Sequence, residues 1–271
     1  MTRLLILLLL STIVTTPAGA GPDDPPTFYE AIDLTPLDEV TVWQDGRLKS
    51  FESFARDTMN WISGPRKPGG LEPRVAMLDI MLRPGVWTDQ DLHFVKNKLV
   101  RVEIARTLRD STARPAIATD ERLDRFIDRG LAPRAFLRHP DVESMLANMR
   151  TDVMRFAKPV QAIDTSLMVA RPEVIRGELM LVPPTGDDAL NQPWMAIGSV
   201  VQQDADSPVA TAWADLQGAW LTGDVDGVNT SAASLAAALR GINPDIYPSA
   251  ERLRAESMYF QWGGFTWGWI F

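Results

Sequence analysis

Cysteine is absent from this 271-residue chain. It therefore has no disulfide, no thiolate nucleophile and no cysteine-held metal site. Histidine is scarce: His93 and His139 are the two. A histidine-rich zinc site is out of reach, and a serine-histidine-acid triad would have to use one of this pair. Cations are outnumbered, 27 Lys and Arg against 35 Asp and Glu, for a formal net charge of −8. That balance argues against nucleic-acid binding and against electrostatic docking on anionic lipid. No P-loop, dinucleotide fingerprint, G-x-S-x-G elbow or H-E-x-x-H helix occurs. Nor is there a membrane-length apolar run: Leu4 to Val14 falls short of the roughly 20 residues a spanning helix needs.

What is present begins with an address. Residues 1–20, MTRLLILLLLSTIVTTPAGA, place one cation before a short apolar run and small residues before Ala20. That order reads as a secretory signal peptide cleaved after Ala20, with an uncleaved signal anchor as the alternative. The expected location is the periplasmic side of the cytoplasmic membrane. Hydrophobic residues at 45% and charged residues at 23% suit a folded globular body. At the other end, MYFQWGGFTWGWIF over residues 258–271 carries no charge and seven aromatic residues. Tyr259, Trp262, Phe265, Trp267 and Trp269 fit a membrane-water interface, so residues 257–271 read as a membrane-proximal tail at the start of a membrane helix. Packing of this segment into the protein's own core is the alternative.

Between the ends the pattern is mainly α with a few short strands. Residues 21–38 are rich in Pro and Asp and read as an extended lead-in to a helical domain over 39–256, with a subdomain break near 159–207. Val40 and Val42 alternate with polar neighbours up to Asp45-Gly46, a hairpin turn signal. Phe51, Phe54, Ala55, Thr58 and Ile62 share a helical face, with Ser50 as cap and Gly64-Pro65 as stop. Further helices are expected over 72–82, 99–108 and 121–129. A longer one over 142–157 should be interrupted by Pro159. DLHFVKN and GELMLVPP read as brief strands. Residues 208–241 form a C-terminal antiparallel helical hairpin turned by TGDVDG, and a last helix covers 249–259.

Few residues invite chemistry. The acidic pairs Asp187-Asp188 and Asp204/Asp206 lie in Pro/Gly-flanked loops, where solvated charge accounts for them. Asp224 and Asp226 suit a helix cap better than a metal. His93 lies in an apolar strand and His139 precedes a helix-opening proline, both structural settings. Trp43, Trp61, Trp87, Trp194, Trp213 and Trp220 are spaced as core aromatics. A hydrolase built on His93 or His139 is the enzymatic alternative, and a stand-alone exported helical binding module is the other.

The stretch QDGRLKSFESFARDTMNWISG, residues 44–64, resembles the GR-x-K-P-L-D-T-F-A-R segment in the exported domain of Ccs-type (system II) cytochrome c biogenesis proteins. Gly46, Arg47, Lys49, Phe54, Ala55 and Arg56 carry the match, after the turn residue Asp45. Three further stretches are similar in the same order: MLDIMLRPGVWTDQDLHFVKNKLVR, LMLVPPTGDDALNQPWMAI, and the final hairpin with its aromatic approach. Ser50, Phe51, Glu52 and Ser53 replace the family's Pro, Leu, Asp and Thr, and Gly264 stands where a proline would precede Phe265. The resemblance implies an accessory or truncated exported domain that performs no chemistry itself. It would dock a membrane cytochrome c synthase-type protein or apocytochrome c. The family's W-G-x-x-W-x-W-D motif and histidine ligands belong to membrane segments. In WGGFTWGWI an extra residue separates Trp262 from Trp267, and Ile270 takes the aspartate's place. No haem ligand carries over, so haem enters through the membrane partner. Arg47, Lys49 and Arg56 would meet carboxylates: haem propionates, an acidic apocytochrome segment, or acids of this same domain.

Overall fold

The structure is a computed structural model describing residues 27–261, without the side chains of Thr27 and of residues 257–261. The expected signal peptide, the start of the lead-in, and Trp262, Phe265, Trp267 and Trp269 lie outside the described residues, as does the side chain of Tyr259.

Among the described residues the fold is mainly α, with three separate two-stranded antiparallel pairs. Helix α1 (Thr27–Ala31) and a 3-10 turn (Thr35–Glu39) lead into β1 (Thr41–Gln44) and β2 (Arg47–Ser50). These two strands pair with Trp43 opposite Leu48 and Gln44 opposite Arg47, leaving Asp45 and Gly46 as a two-residue turn. Both turn residues have positive φ, 52° and 75°, the combination that Asp-Gly supplies at little steric cost. Helix α2 (Phe51–Ser63) starts at once, its Ser53 amide bonded to the Ser50 hydroxyl. Phe51, Phe54, Ala55, Met59 and Ile62 are buried along one face. Each large apolar side chain among them contributes about 1.5–3 kcal/mol by leaving water.

After a 3-10 turn (Pro68–Gly70) come α3 (Pro73–Leu82), β3 (His93–Phe94), α4 (Lys98–Asp110), α5 (Asp120–Arg129), β4 (Leu131–Ala132), α6 (Arg134–Leu137), α7 (Pro140–Arg150) and α8 (Ala157–Val169). The chain continues through α9 (Pro172–Glu178), β5 (Met180–Val182), a 3-10 turn (Ala189–Asn191), β6 (Met195–Ala196) and α10 (Ile197–Gln203). It closes with α11 (Pro208–Thr222), α12 (Val225–Ile242) and α13 (Ala250–Gln261). Helices α11 and α12 form the expected hairpin, with Ser207 capping the first and Asp224 the second through the Gly227 amide.

Three expectations need correction. The lead-in is not extended throughout: residues 27–31 and 35–39 are helical, and Phe28, Leu34 and Leu37 are buried in the core. Those apolar side chains outweigh the local Pro and Asp signals. Pro159 does not interrupt a helix; it sits in the first turn of α8, where a missing amide costs no bond. The break comes earlier, over residues 151–156. Nor is one subdomain boundary near 159–207 enough.

The buried apolar residues form two cores. The first runs from Phe28 to Leu92 and resumes from Ile175 to Leu239. The second, Val95 to Leu167, is inserted between those halves. The chain thus leaves the first lobe just before β3 and returns after α8. At the seam, β3 and α8 both lie against α2. The His93 ring nitrogen Nδ1 is 2.8 Å from the Ser166 hydroxyl, which donates to the Ile62 carbonyl at 2.8 Å. One polar chain therefore stitches the two lobes.

Candidate functional site

The stretch from Trp43 to Gly64 forms one wall of a groove of about 670 Å³ along this seam. A volume on that scale suits a small ligand or a few side chains of a partner. Gln44, Asp45, Lys49, Phe54, Asp57 and Trp61 come from the hairpin and α2. Thr165, Met168 and Val169 at the end of α8, with Val174, Ile175 and Glu178 of α9, form the facing wall. Trp61 is 65% exposed and Met168 51% exposed, so the groove has an open aromatic and an open thioether beside it. This corrects the reading of Trp61 as a core residue. It neighbours Ile62 on the helix flank, and Ile62 is the last apolar residue of the buried stripe. Trp87, Trp194, Trp213 and Trp220 are buried as expected, and Trp43 is half-buried.

The six residues carrying the resemblance, together with the turn residue Asp45, do not converge. Phe54 and Ala55 belong to the first core, with Phe54 at the groove floor. Asp45 and Lys49 line the groove, whereas Arg47 is outside its lining, exposed and without an ion pair among the described residues. Arg56 bonds Glu52 one turn back at 2.6 Å and lines a neighbouring cavity with Glu72 and Arg74. Lys49 is held by Asp57 at 2.9 Å and by the Gln44 side chain at 3.0 Å. Of the three carboxylate sources expected for these cations, acids of this same domain therefore meet Lys49 and Arg56. An exposed pair such as Lys49–Asp57 contributes about 0–1 kcal/mol, so its value lies in fixing the hairpin's end against α2.

With Lys49 paired to Asp57, the groove's charge is set by its remaining acids, Asp45 and Glu178. Asp45, Asp57 and Glu178 face it with Lys49 as the one cation among its lining residues. Helix α13 packs over β2 and α2 from another side. There, burial raises the Glu256 carboxyl above its ordinary value, while bonds from Ser50 and Ser53 and the charge of Lys49 pull the other way.

The enzymatic alternative finds no support in the histidines. His93 is buried, and burial pushes its ring down to about 3, helped by the nearby Arg134 and Arg138 charges. A serine nucleophile needs histidine to accept its proton. Here the Ser166 proton points to the Ile62 carbonyl, so its oxygen accepts from His93 Nδ1–H. His139 caps α7, accepting the Asp141 amide on Nδ1 and donating from Nε2 to the Ala113 carbonyl. Both rings are structural.

Sequence reasoning missed Glu178 and the α8–α9 wall. The signal available was Met168 and Val169 preceding a helix break at Pro172. What it lacks is any local hint that these residues return beside Trp61. Comparison with known families finds no family model that matches this chain, and comparison with curated proteins finds no relative.

Proposed function

We propose that this chain is an accessory extracytoplasmic docking domain of a cytochrome c assembly system, serving a membrane-embedded synthase-type partner or its apocytochrome client. The groove between hairpin, α2 and the α8–α9 corner is the docking element. The observation that carries the reading is Trp61: a large aromatic, 65% exposed, at an acid-rimmed groove built from the stretch that resembles the family's segment. Exposed tryptophans beside a recess are typical anchors of protein interfaces. Asp45 and Glu178, the acids left once Lys49 has engaged Asp57, then favour a partner segment that presents cations around an apolar centre. This refines the expectation of an acidic partner, because Lys49 and Arg56 already have their carboxylates. The domain holds and presents; haem chemistry belongs to the partner.

The test is co-purification of the full chain from native membranes, with haem staining of what accompanies it. Recovery of a polytopic membrane protein or an apocytochrome, abolished by Trp61→Ala, supports the reading. Recovery of neither, or unchanged c-type cytochrome levels in cells lacking the chain, overturns it.

A further inference from the structure

A second cleft, of about 620 Å³, opens across the same two lobes and has the opposite charge. Lys67, Arg122, Arg125 and Arg129 line it against Asp89 and Asp91, a balance of +2 (four cations less two acids) in a chain of net charge −8. We propose that this cleft binds a small, multiply charged oxyanion, a phosphate ester or a polycarboxylate. The inference is independent of the docking groove.

The local sequence explains how such a patch survives in an acidic protein. Helix α5 reads DERLDRFIDR, and its three arginines recur at i, i+3 and i+7, one stripe of the helix. Two of its four acids are drawn elsewhere: Asp120 pairs with Arg114 and Arg109, and Asp124 pairs with Arg109. Arg122 bonds Asp91 at 2.7 and 3.0 Å and also the Asp89 carbonyl, which ties α5 to the loop before β3. That link fixes the width of the cleft. Arg125 and Arg129 are exposed and, like Lys67 on the opposite wall, have no ion pair among the described residues. Beside Lys67 the wall is the Gly69-Gly70 backbone, where a Cβ on Gly70 would meet nothing within 4 Å. The buried Trp87 and the half-buried Leu131 complete the lining.

Three unpaired cations on two walls repel one another until something anionic lies between them. Guanidinium forks suit oxyanions because they give paired N–H donors, and the lysine adds a point charge from across the cleft. A cleft of this volume accommodates a small molecule bearing two or more charges.

Isothermal titration of the full chain with pyrophosphate and with citrate tests the proposal, alongside flotation with phosphatidylglycerol vesicles. Saturable binding of either small anion, weakening with added salt, identifies a free oxyanion as ligand. Binding to vesicles alone, whose headgroup phosphodiester carries a single charge, would overturn the assignment to a multiply charged small anion. The variant Arg125→Gln/Arg129→Gln should lose roughly tenfold to a hundredfold in affinity, the scale of lost charge-assisted bonds. Both side chains are exposed, so its melting temperature should stay at the wild-type value. Arg47→Gln, away from the cleft, should bind like wild type. No binding in any arm overturns the proposal. So does binding that survives the double variant, or that falls equally in Arg47→Gln.

Discussion

In the first lobe the buried charge is a carboxylate; in the second it is a guanidinium. Asp79, fully buried, accepts from the indole nitrogens of Trp87 at 2.7 Å and Trp220 at 2.8 Å and from the Tyr29 hydroxyl at 3.2 Å. Arg83 adds a charge-assisted contact at 2.6 Å. Arg101 instead donates to four backbone carbonyls, those of Val95, Lys96, Ile127 and Asp128, at 2.5 to 3.4 Å. The carboxylate gathers side chains from the chain's beginning, middle and end, whereas the guanidinium fills a cage made by the loop after β3 and the last turn of α5. One is a long-range clamp and the other a local plug. A carbonyl with two lone pairs tolerates a missing donor better than a buried N–H tolerates a missing acceptor. The first lobe should therefore be the more fragile to loss of its charge.

Asp79→Ala breaks the comparison most severely. It strands two buried indole N–H groups and the Arg83 charge, a loss of about 3–5 kcal/mol. Urea denaturation should show a collapsed midpoint, and Asp79→Asn should fall between it and wild type. A change under about 1 kcal/mol in the alanine variant would show that the clamp does not hold the lobe.

The plug is probed through its lid. Gly130 ends α5 with φ of +82°, and a Cβ there would lie 2.7 Å from the Arg101 guanidinium carbon. Gly130→Ala imposes both backbone strain and displacement of the cation, together about 1–3 kcal/mol. Adding Arg101→Met should recover part of that loss, because the clash disappears with the guanidinium.

His93, at the seam, separates the lobes by pH. Its folded value, about 3, lies below the unfolded value of 6.5, so the unfolded chain binds the extra proton between them. The contribution is complete above pH 6.5 and is lost as pH falls towards 3. At pH 5.5 the loss is on the order of 1 kcal/mol. His93→Asn, whose amide can still donate to Ser166, should lose that part of the pH dependence in melting curves from pH 7 to 5. An unchanged slope would remove His93 from the seam's energetics.

How much of this was legible depends on the range of the interaction. The Asp45-Gly46 turn, the Ser50 and Asp224 caps and the α11–α12 hairpin are set by neighbours within a few residues, and the sequence patterns name them. The inserted lobe has no such mark. Its crossings, near residues 92–95 and 167–175, are short and partly apolar and lack the composition of a linker. Asp79 left a usable trace as the single charge within VAMLDIML, since a carboxylate among apolar helix neighbours must find donors somewhere. Which donors depended on Trp220, 141 positions away. The site was half visible: the hairpin and α2 supplied one wall, while the wall that makes it a groove comes from the return crossing.

The smallest stability effect is expected at the residue with the largest binding effect. Trp61 and Phe54 sit seven positions apart on α2, yet Trp61 is 65% exposed and Phe54 is 1% exposed. Phe54→Ala empties part of the first core and should cost about 3–5 kcal/mol. Trp61→Ala uncovers no cavity, so its unfolding free energy should stay within about 0.5 kcal/mol of wild type. If the groove is a docking element, the same change removes an anchor worth about 2 kcal/mol or more, a loss near thirtyfold in partner affinity. Surface plasmon resonance against the membrane partner, beside urea melts of both variants, separates these roles. Equal destabilisation by the two changes would put Trp61 back in the core and leave the groove without its anchor.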